Sequence, residues 1–398
     1  MTGMPARASW VTTSRGLFLV ALAVFVVTVG IGILNGLDAV EFSRDVLLTH
    51  VHSGTLGWIT LGIAATACWV YGDMDRTLAL ALGAVTPIYV LAFATGSYPL
   101  RAATGVVMLG VVFWLIAWTW RSYLASDRSL AGLALALGLT TFAYGSVIGV
   151  VLQLQFALGT GWLSGDAIGA HAAAMVFSYL VLAATGLVEW RLGGGQGLPR
   201  GGVVQLGALF IGGLVLSGGL LVGAAQAAGG IYLLLNLVAV VLFVARVIPR
   251  AIRAPWLGGG PAAFAGAAAL WVVVALAIFM YLVMQFVTSG GDTSKISPNI
   301  LIASDHATFV GVMTNLLFGL IVAVTAQATG SPALTERLVF WVLNLGLVVF
   351  VVGLVGDSPE IKRLGAPLMG VAILVGVALF GWRLWQARAE GDPLTEPA

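Results

Sequence analysis

The chain has 398 residues, of which 60% are hydrophobic and only 9% are charged, and its formal net charge is +2. This composition excludes a soluble globular protein and indicates a polytopic membrane protein. There is no basic run that would bind nucleic acid. The single cysteine, Cys68, excludes an internal disulfide and the paired-cysteine attachment of c-type haem.

Apolar runs of spanning length, separated by glycine, proline or charged turns, predict about twelve membrane helices and an all-α fold. No stretch is long and polar enough for an extramembrane domain, so we expect one membrane domain over residues 1–398, with the lipid bilayer around it. In chain order, the predicted helices lie near residues 15–37, 46–71, 77–96, 101–122, 129–156, 167–190, 203–224, 229–251, 263–288, 299–327, 336–355 and 362–387.

The basic residues are distributed unequally between the two sides of this helix set. The side that holds both termini carries 13 of the 18 Lys and Arg residues. The positive-inside rule therefore predicts that both termini are cytoplasmic. At this cytoplasmic boundary, Glu189 and Arg191 are expected to form an ion pair. The other side carries Arg44, Arg101, Lys295, Lys362 and Arg363.

The chain has only 4 histidines, and each opens a predicted helix. His50 and His52 lie in predicted helix 2, His171 in helix 6 and His306 in helix 10. This spacing of four helices predicts three pseudo-symmetric four-helix groups, near residues 15–122, 129–251 and 263–387. Setting the repeats in register aligns His52 with His171 and His306, which makes His50 the additional residue.

In the predicted topology, all four histidines lie at one depth in the outer part of the membrane. Neutral imidazoles at that depth are candidate ligands for haem iron or another metal. His50 and His52 are two residues apart, so their rings point about 200° apart around the helix. They could therefore serve two sites, one with His306 and one with His171. The alternative is that all four are interfacial residues bonded to loop backbone.

This arrangement resembles the catalytic subunit of the haem–copper oxidase superfamily, which has twelve helices in three groups and metal-ligating histidines near the outer ends of helices 2, 6, 7 and 10. The His-x-His that opens helix 2 also looks like the nitric-oxide-response membrane proteins related to that family. The resemblance implies a prokaryotic plasma (inner) membrane location. It also implies that Lys362 and Arg363, before helix 12, bind haem propionates.

The sequence departs from the oxidase pattern at the copper site. Predicted helix 7 has no histidine, helix 10 has one instead of two, and Met175 stands where some oxidases have a tyrosine. The ligands for a copper-bearing oxygen-reducing centre are therefore missing. We expect no oxygen reduction by this chain alone.

The sequence thus predicts a membrane protein that binds one or two b-type haems through His50, His52, His171 and His306. Its expected role is electron transfer or redox chemistry of a small gas such as nitric oxide or oxygen. A quinol or a cytochrome would be the electron donor, and a second membrane subunit is a candidate partner. The alternatives are a twelve-helix secondary transporter with proton-linked or structural histidines, and a non-catalytic accessory or assembly subunit.

Overall fold

The computed structural model of the chain describes residues 7–72, 74–163, 165–194, 196–292, 295–325 and 333–386. Within these ranges twelve helices are long and apolar enough to cross a membrane, and there is no β-strand. Each overlaps its predicted range, so the prediction of an all-α polytopic membrane protein is confirmed. The helices are α1 (Arg7–Gly36), α2 (Arg44–Tyr71), α3 (Arg76–Ala94), α4 (Tyr98–Ala125), α5 (Leu130–Leu158), α6 (Ala167–Arg191), α7 (Arg200–Leu221), α8 (Ala225–Ile252), α9 (Pro261–Thr288), α10 (Pro298–Thr325), α11 (Ala333–Val355) and α12 (Pro359–Gln386).

Short polar side chains fix where several helices begin. The Ser97 hydroxyl accepts from the backbone of Leu100, and the Ser129 hydroxyl accepts from the backbone of Gly132. Asp166 precedes α6, and its Oδ1 accepts from the Gly169 N–H at 2.7 Å. Such caps satisfy N–H groups that have no partner within the helix. The cap at Asp166 therefore sets the start of the helix that carries the third histidine.

Helices α2, α6 and α10 form the centre of the bundle. Between 72 and 89% of the membrane window of each is buried inside the protein, against 28 to 61% for the other nine helices. Each contains a π-helical segment, at Ser53–Thr60, Met175–Leu180 and Ala307–Thr314. Segments of this kind are rare and often mark functional sites. Their recurrence in every fourth helix supports the three pseudo-symmetric groups.

Two buried hydrogen bonds join the central helices. The indole N–H of Trp58 in α2 donates to the hydroxyl of Thr314 in α10 at 3.0 Å. The hydroxyl of Tyr179 in α6 donates to the hydroxyl of Thr60 in α2 at 3.2 Å. Both bonds run from an aromatic donor on one central helix to a threonine on another, so they are equivalent contacts of two repeats.

These contacts give a register different from the one expected from sequence. The two hydrogen bonds become equivalent when His50, His171 and Ser304 are aligned. The π-helical segments agree, because they begin three, four and three residues after these positions. The expected alignment of His171 with His52 and His306 is therefore wrong, because His171 aligns with His50, whereas His52 and His306 stay aligned with each other. That alignment matched histidine to histidine, whereas packing at the bundle centre sets the register.

At the end of the bundle where α6 terminates, ion pairs join helices that are distant in the sequence. Glu189 at the end of α6 accepts from Arg246 of α8, which also donates to Gln205 of α7 at 2.9 Å. The guanidinium of Arg191 instead lies 5.6 Å from the centre of the Trp190 ring. The expected Glu189–Arg191 pair is wrong, because residues two apart on a helix point to opposite sides.

The central hydrogen bonds predict the effect of one substitution. Thr314→Val removes the acceptor of the buried Trp58 N–H, so we expect the free energy of unfolding to fall by about 0.5–2 kcal/mol. Unfolding in detergent, followed by tryptophan fluorescence, measures this loss. The matched control is Thr66→Val, since Thr66 is equally buried but donates only to Gly62 of its own helix. Equal losses in the two variants would contradict the prediction.

Candidate functional site

The four histidines all lie at one end of the bundle and divide into two pairs. His52 of α2 and His171 of α6 line one cavity. His50 of α2 and His306 of α10 line another. Helix α2 therefore serves both cavities from opposite faces, and each of the other two central helices serves one. The structure brings together the same pairs that the rotation between His50 and His52 allows.

The first cavity lies among helices α2 to α6. The space between its side chains, including its open mouth, is about 840 Å³. The imidazole of His52 stacks on the ring of Phe93, with 3.8 Å between ring centres. Besides these two residues and His171, the cavity lining includes Arg44, Tyr89, Tyr98, Arg101, Phe142, Gly149, Gln153, Phe156 and Met175. The lining is thus mostly apolar and aromatic, with two guanidinium groups.

The second cavity lies among α10, α11, α12, α1 and α2. The space between its side chains, including its open mouth, is about 410 Å³. The ring of His306 packs against the ring of Phe350, with 4.8 Å between centres. The rest of the lining is apolar apart from Thr28, and it includes Phe25, Val29, Gly32, Ile33, Val310, Ala366, Met369, Gly370 and Ile373.

One histidine of each cavity is bound to the backbone of the preceding helix. The Nδ1 atom of His50 lies 2.9 Å from the carbonyl oxygen of Thr28 in α1. The Nδ1 atom of His171 lies 2.8 Å from the carbonyl oxygen of Gly145 in α5. A carbonyl oxygen can only accept, so Nδ1 carries the proton in both rings. The two rings are equivalent members of neighbouring repeats.

A glycine on the preceding helix leaves room for each of these two rings. A Cβ atom added at Gly32 would lie 3.0 Å from Cε1 of His50. A Cβ atom added at Gly149 would lie 2.7 Å from Cε1 of His171. Each glycine stands four residues after the residue whose carbonyl holds the ring, one helical turn away. Helices α1 and α5 thus supply the same two features, an acceptor and a space.

The other two histidines are bound to their own helices. Nδ1 of His52 lies 2.8 Å from the carbonyl oxygen of Leu48, and Nδ1 of His306 lies 2.9 Å from that of Ile302. Both acceptors are four residues earlier on the same helix. Each cavity therefore contains one ring held by its own helix and one held by the neighbouring helix.

All four rings have the same protonation pattern as a result. Nδ1 donates to the backbone, and among the described residues no hydrogen bond is made by any of the four Nε2 atoms. When a histidine ligates a metal through one ring nitrogen, a hydrogen bond from the other nitrogen to a backbone carbonyl fixes the tautomer and orientation of the ring. The Nε2 atoms are thus the ones available to bind iron or another metal.

The third crevice of the pseudo-symmetric bundle, between α6 and α10, contains no histidine. Gly57 of α2 packs on Val24 of α1, and Gly311 of α10 packs on Trp271 of α9. Gly57 and Gly311 are aligned positions, so Val24 and Trp271 are equivalent as well. Phe279 of α9 lies eight residues after Trp271, and Gly32 of α1 lies eight residues after Val24, so Phe279 and Gly32 are at equivalent positions.

Phe279 therefore takes the place of the glycine that admits a ring in the other two repeats. Its ring stacks on Phe177 of α6. Ala173 and Ser304 occupy the positions equivalent to histidines, and both are buried. Tyr232 and Leu216 pack into the same cluster. The third crevice is filled by this protein's own side chains, so the bundle has two histidine cavities and not three.

Arg101 is the functional candidate that sequence reasoning missed. Its side chain is fully buried and lines the cavity of His52 and His171. Nη2 donates to the Asp45 carboxylate and to the Phe93 carbonyl oxygen. The available signal was a basic residue at the start of an apolar helix, which was counted only towards the orientation of the chain.

Lys362 and Arg363, the residues implied to bind propionates, are both paired with Asp38 in the loop after α1. Nζ of Lys362 lies 2.9 Å from Oδ1 of Asp38, and Nε of Arg363 lies 3.0 Å from Oδ2. Neither residue lines the second cavity, but Ala366, one turn further along α12, does. The hydrogen bond from Lys362 holds the pKa of the Asp38 carboxyl below its usual value, although partial burial opposes this.

Among the described residues, there is no group of three or more His, Cys, Asp and Glu side chains that could hold a metal ion. A metal bound between two imidazoles would therefore need ligands from elsewhere, as haem iron has from its macrocycle. Comparison with known proteins finds no family model that matches this chain and no curated protein with a significant match.

The Asp38 pairs predict a pH dependence of stability. A carboxyl whose pKa is lower in the folded state stabilises the fold above its unfolded pKa, and this contribution is lost as the pH falls through the folded pKa. We expect Asp38→Asn to be less stable than the unsubstituted chain at neutral pH, with the difference shrinking below about pH 4. Thermal unfolding across this range measures the difference. A difference that stays constant down to pH 2 would contradict it.

Proposed function

We propose that this chain is an integral membrane haem protein with two bis-histidine sites. His52 and His171 would bind one iron, and His50 and His306 would bind the other. The proposal rests on one observation above others: in both cavities, two imidazoles face a common space, and each has Nδ1 held by a backbone carbonyl. Four independently oriented rings with the same free nitrogen are expected of ligands. Interfacial histidines would have no reason to share this pattern.

Both cavities offer aromatic side chains of the kind that pack against a flat macrocycle. Phe93, Tyr89 and Phe142 in the first cavity, and Phe25 and Phe350 in the second, offer aromatic surface beside the imidazoles. The haem type we expect is b, because Cys68 is the only cysteine and no covalent attachment pair exists.

The proposed activity is electron transfer or redox chemistry linked to a small gas. When bound, haem supplies one-electron redox chemistry. Two imidazoles would hold each iron, which favours electron transfer over ligand chemistry. The apolar linings would exclude water. The resemblance to the haem–copper oxidase catalytic subunit supports this role, with a quinol or cytochrome as donor and a second membrane subunit as a candidate partner.

The proposed orientation places both termini in the cytoplasm of a prokaryotic cell and the histidine end at the outer face of the plasma membrane. The basic-residue asymmetry supports this orientation. Arg44, Arg101 and Lys362 lie at the histidine end, whereas Arg246 and Arg383 lie at the opposite end. A donor in the outer part of the membrane would thus meet the two sites directly.

This proposal predicts the spectra of four single variants. Because each haem has two protein ligands, loss of one leaves a five-coordinate iron that opens to exogenous ligands. We expect His52→Ala and His171→Ala to change one and the same low-spin signal, and His50→Ala and His306→Ala to change the other. Absorption and electron paramagnetic resonance spectra of the purified variants measure this.

Two results would contradict the proposal. A colourless protein, expressed with ample haem, would favour a transporter with structural histidines. Different signals lost in His52→Ala and His171→Ala would mean that these two rings do not share an iron. Phe156→Ala, which changes the mouth of the first cavity without touching an imidazole, is the control and should retain both signals.

The glycine contacts predict a second effect on the same spectra. Gly149→Ala would push a methyl group against the His171 ring, so we expect the affinity of the first site for haem to fall about 10–100-fold. Gly32→Ala makes a looser contact with His50 and should affect the second site less. Gly110→Ala in α4, where an added Cβ meets no atom within 4 Å, is the control. Haem titration of the three variants measures the order, and an equal loss in all three would contradict it.

A further inference from the structure

Arg101 makes fewer hydrogen bonds than its burial requires. Its side chain is 0% exposed, yet its Nε and Nη1 atoms have no hydrogen-bond partner among the described residues. Burying an unsatisfied donor of a charged group costs more than burying a neutral one. The side chain lines the cavity of His52 and His171, so a ligand in that cavity is the available source of acceptors.

The remaining contacts of Arg101 hold it in place without neutralising it fully. Its Nη2 atom is shared by the Phe93 carbonyl oxygen, at 2.6 Å, and the Asp45 carboxylate. Asp45 is 41% exposed, so water competes for its charge. The guanidinium also lies over the rings of Phe93 and Tyr98, at 5.1 and 5.3 Å from their centres. These contacts fix the plane of the guanidinium and leave its Nε and Nη1 donors unbound.

Unbound N–H groups of a guanidinium recognise carboxylates through charge-assisted hydrogen bonds. Nε and Nη1 of Arg101 point to different sides of the group, so each offers its own hydrogen bond to a carboxylate oxygen, while Nη2 is already bound to Asp45 and Phe93. Arg44, one turn before Leu48 on α2, lines the same cavity and adds a second positive charge near the mouth. The cavity thus has two imidazoles in an apolar space and a basic group at one side.

We infer that Arg101 binds a carboxylate of the ligand held by His52 and His171. This inference rests on the proposed function and names the group that orients the ligand: a macrocycle with carboxylate side chains would enter with its acidic edge towards α4. The described lining of the second cavity includes no basic residue. Lys362 and Arg363, which precede its α12 residues in the chain, are already paired with Asp38.

The probe that tests this inference is haem b compared with its dimethyl ester, in which both carboxylates are blocked. The full-length chain is produced with limited haem and kept in lipid nanodiscs. A His306→Ala background removes one ligand of the second cavity, so the six-coordinate signal reports only the first. In this background we expect haem b to bind about 10–100-fold more tightly than the ester.

Variants at α4 and α2 separate ligand binding from folding. Arg101→Met should bind haem b and the ester with nearly equal affinity. Arg101→Lys keeps the charge but lacks the planar set of N–H donors, so an intermediate preference is expected. Asp45→Asn removes the existing ion pair and leaves Nε and Nη1 available, and it should retain the full preference. A role of Arg101 limited to structure would instead make Asp45→Asn and Arg101→Met alike.

The outcomes distinguish this inference from the proposed function. Equal binding of haem b and the ester to the chain with Arg101 present would overturn the inference and leave the haem site intact. So would a preference for haem b that persists in Arg101→Met. Binding of neither compound would overturn the proposed function itself. The comparison in the chain that retains Arg101 remains decisive even if Arg101→Met does not fold.

Discussion

A buried imidazole must place the proton of one ring nitrogen on an acceptor, and in this bundle the backbone supplies that acceptor four times. Two carbonyls come from the histidine's own helix and two from the helix before it. The second type requires two helices to approach closely, because the acceptor lies on a different helix from the ring. Gly32 and Gly149 allow that approach. The position of every ring nitrogen that could bind a metal follows from this arrangement.

The pseudo-symmetry of the bundle accounts for how the rings are paired. Each of the two crevices that hold histidines lies between two central helices, and it takes one ring held by its own helix and one held by the helix before it. Helix α2 supplies both types because its two histidines are two residues apart and point to opposite sides. His171 of α6 is of the His50 type, and His306 of α10 is of the His52 type. The pairing is thus a consequence of helical geometry together with the order of the central helices.

Hydropathy was sufficient to predict twelve helices because the bilayer fixes both their length and their composition. Rotation along α2 was sufficient to expect two sites, and the structure pairs the residues in that way. The register was wrong because apolar helices share many letters by chance, whereas the Trp58–Thr314 and Tyr179–Thr60 bonds define it unambiguously. Contacts between distant helices, such as that of Asp45 with Arg101, leave no local pattern in a sequence.

The third crevice shows what a site in this fold requires. At the bundle centre, Val312 stands where the other two repeats have the donors Trp58 and Tyr179, and Val181 stands where they have the acceptors Thr314 and Thr60. Two valines cannot form the third hydrogen bond at these aligned positions. At the histidine end, Phe279 fills the space that glycine leaves open elsewhere. Restoring a histidine at Ser304 would therefore not create a site, because its ring would meet Phe279. A cavity here depends on two coordinated choices, the histidine and the glycine that leaves room for its ring, because the backbone supplies a carbonyl one turn before that position in every repeat.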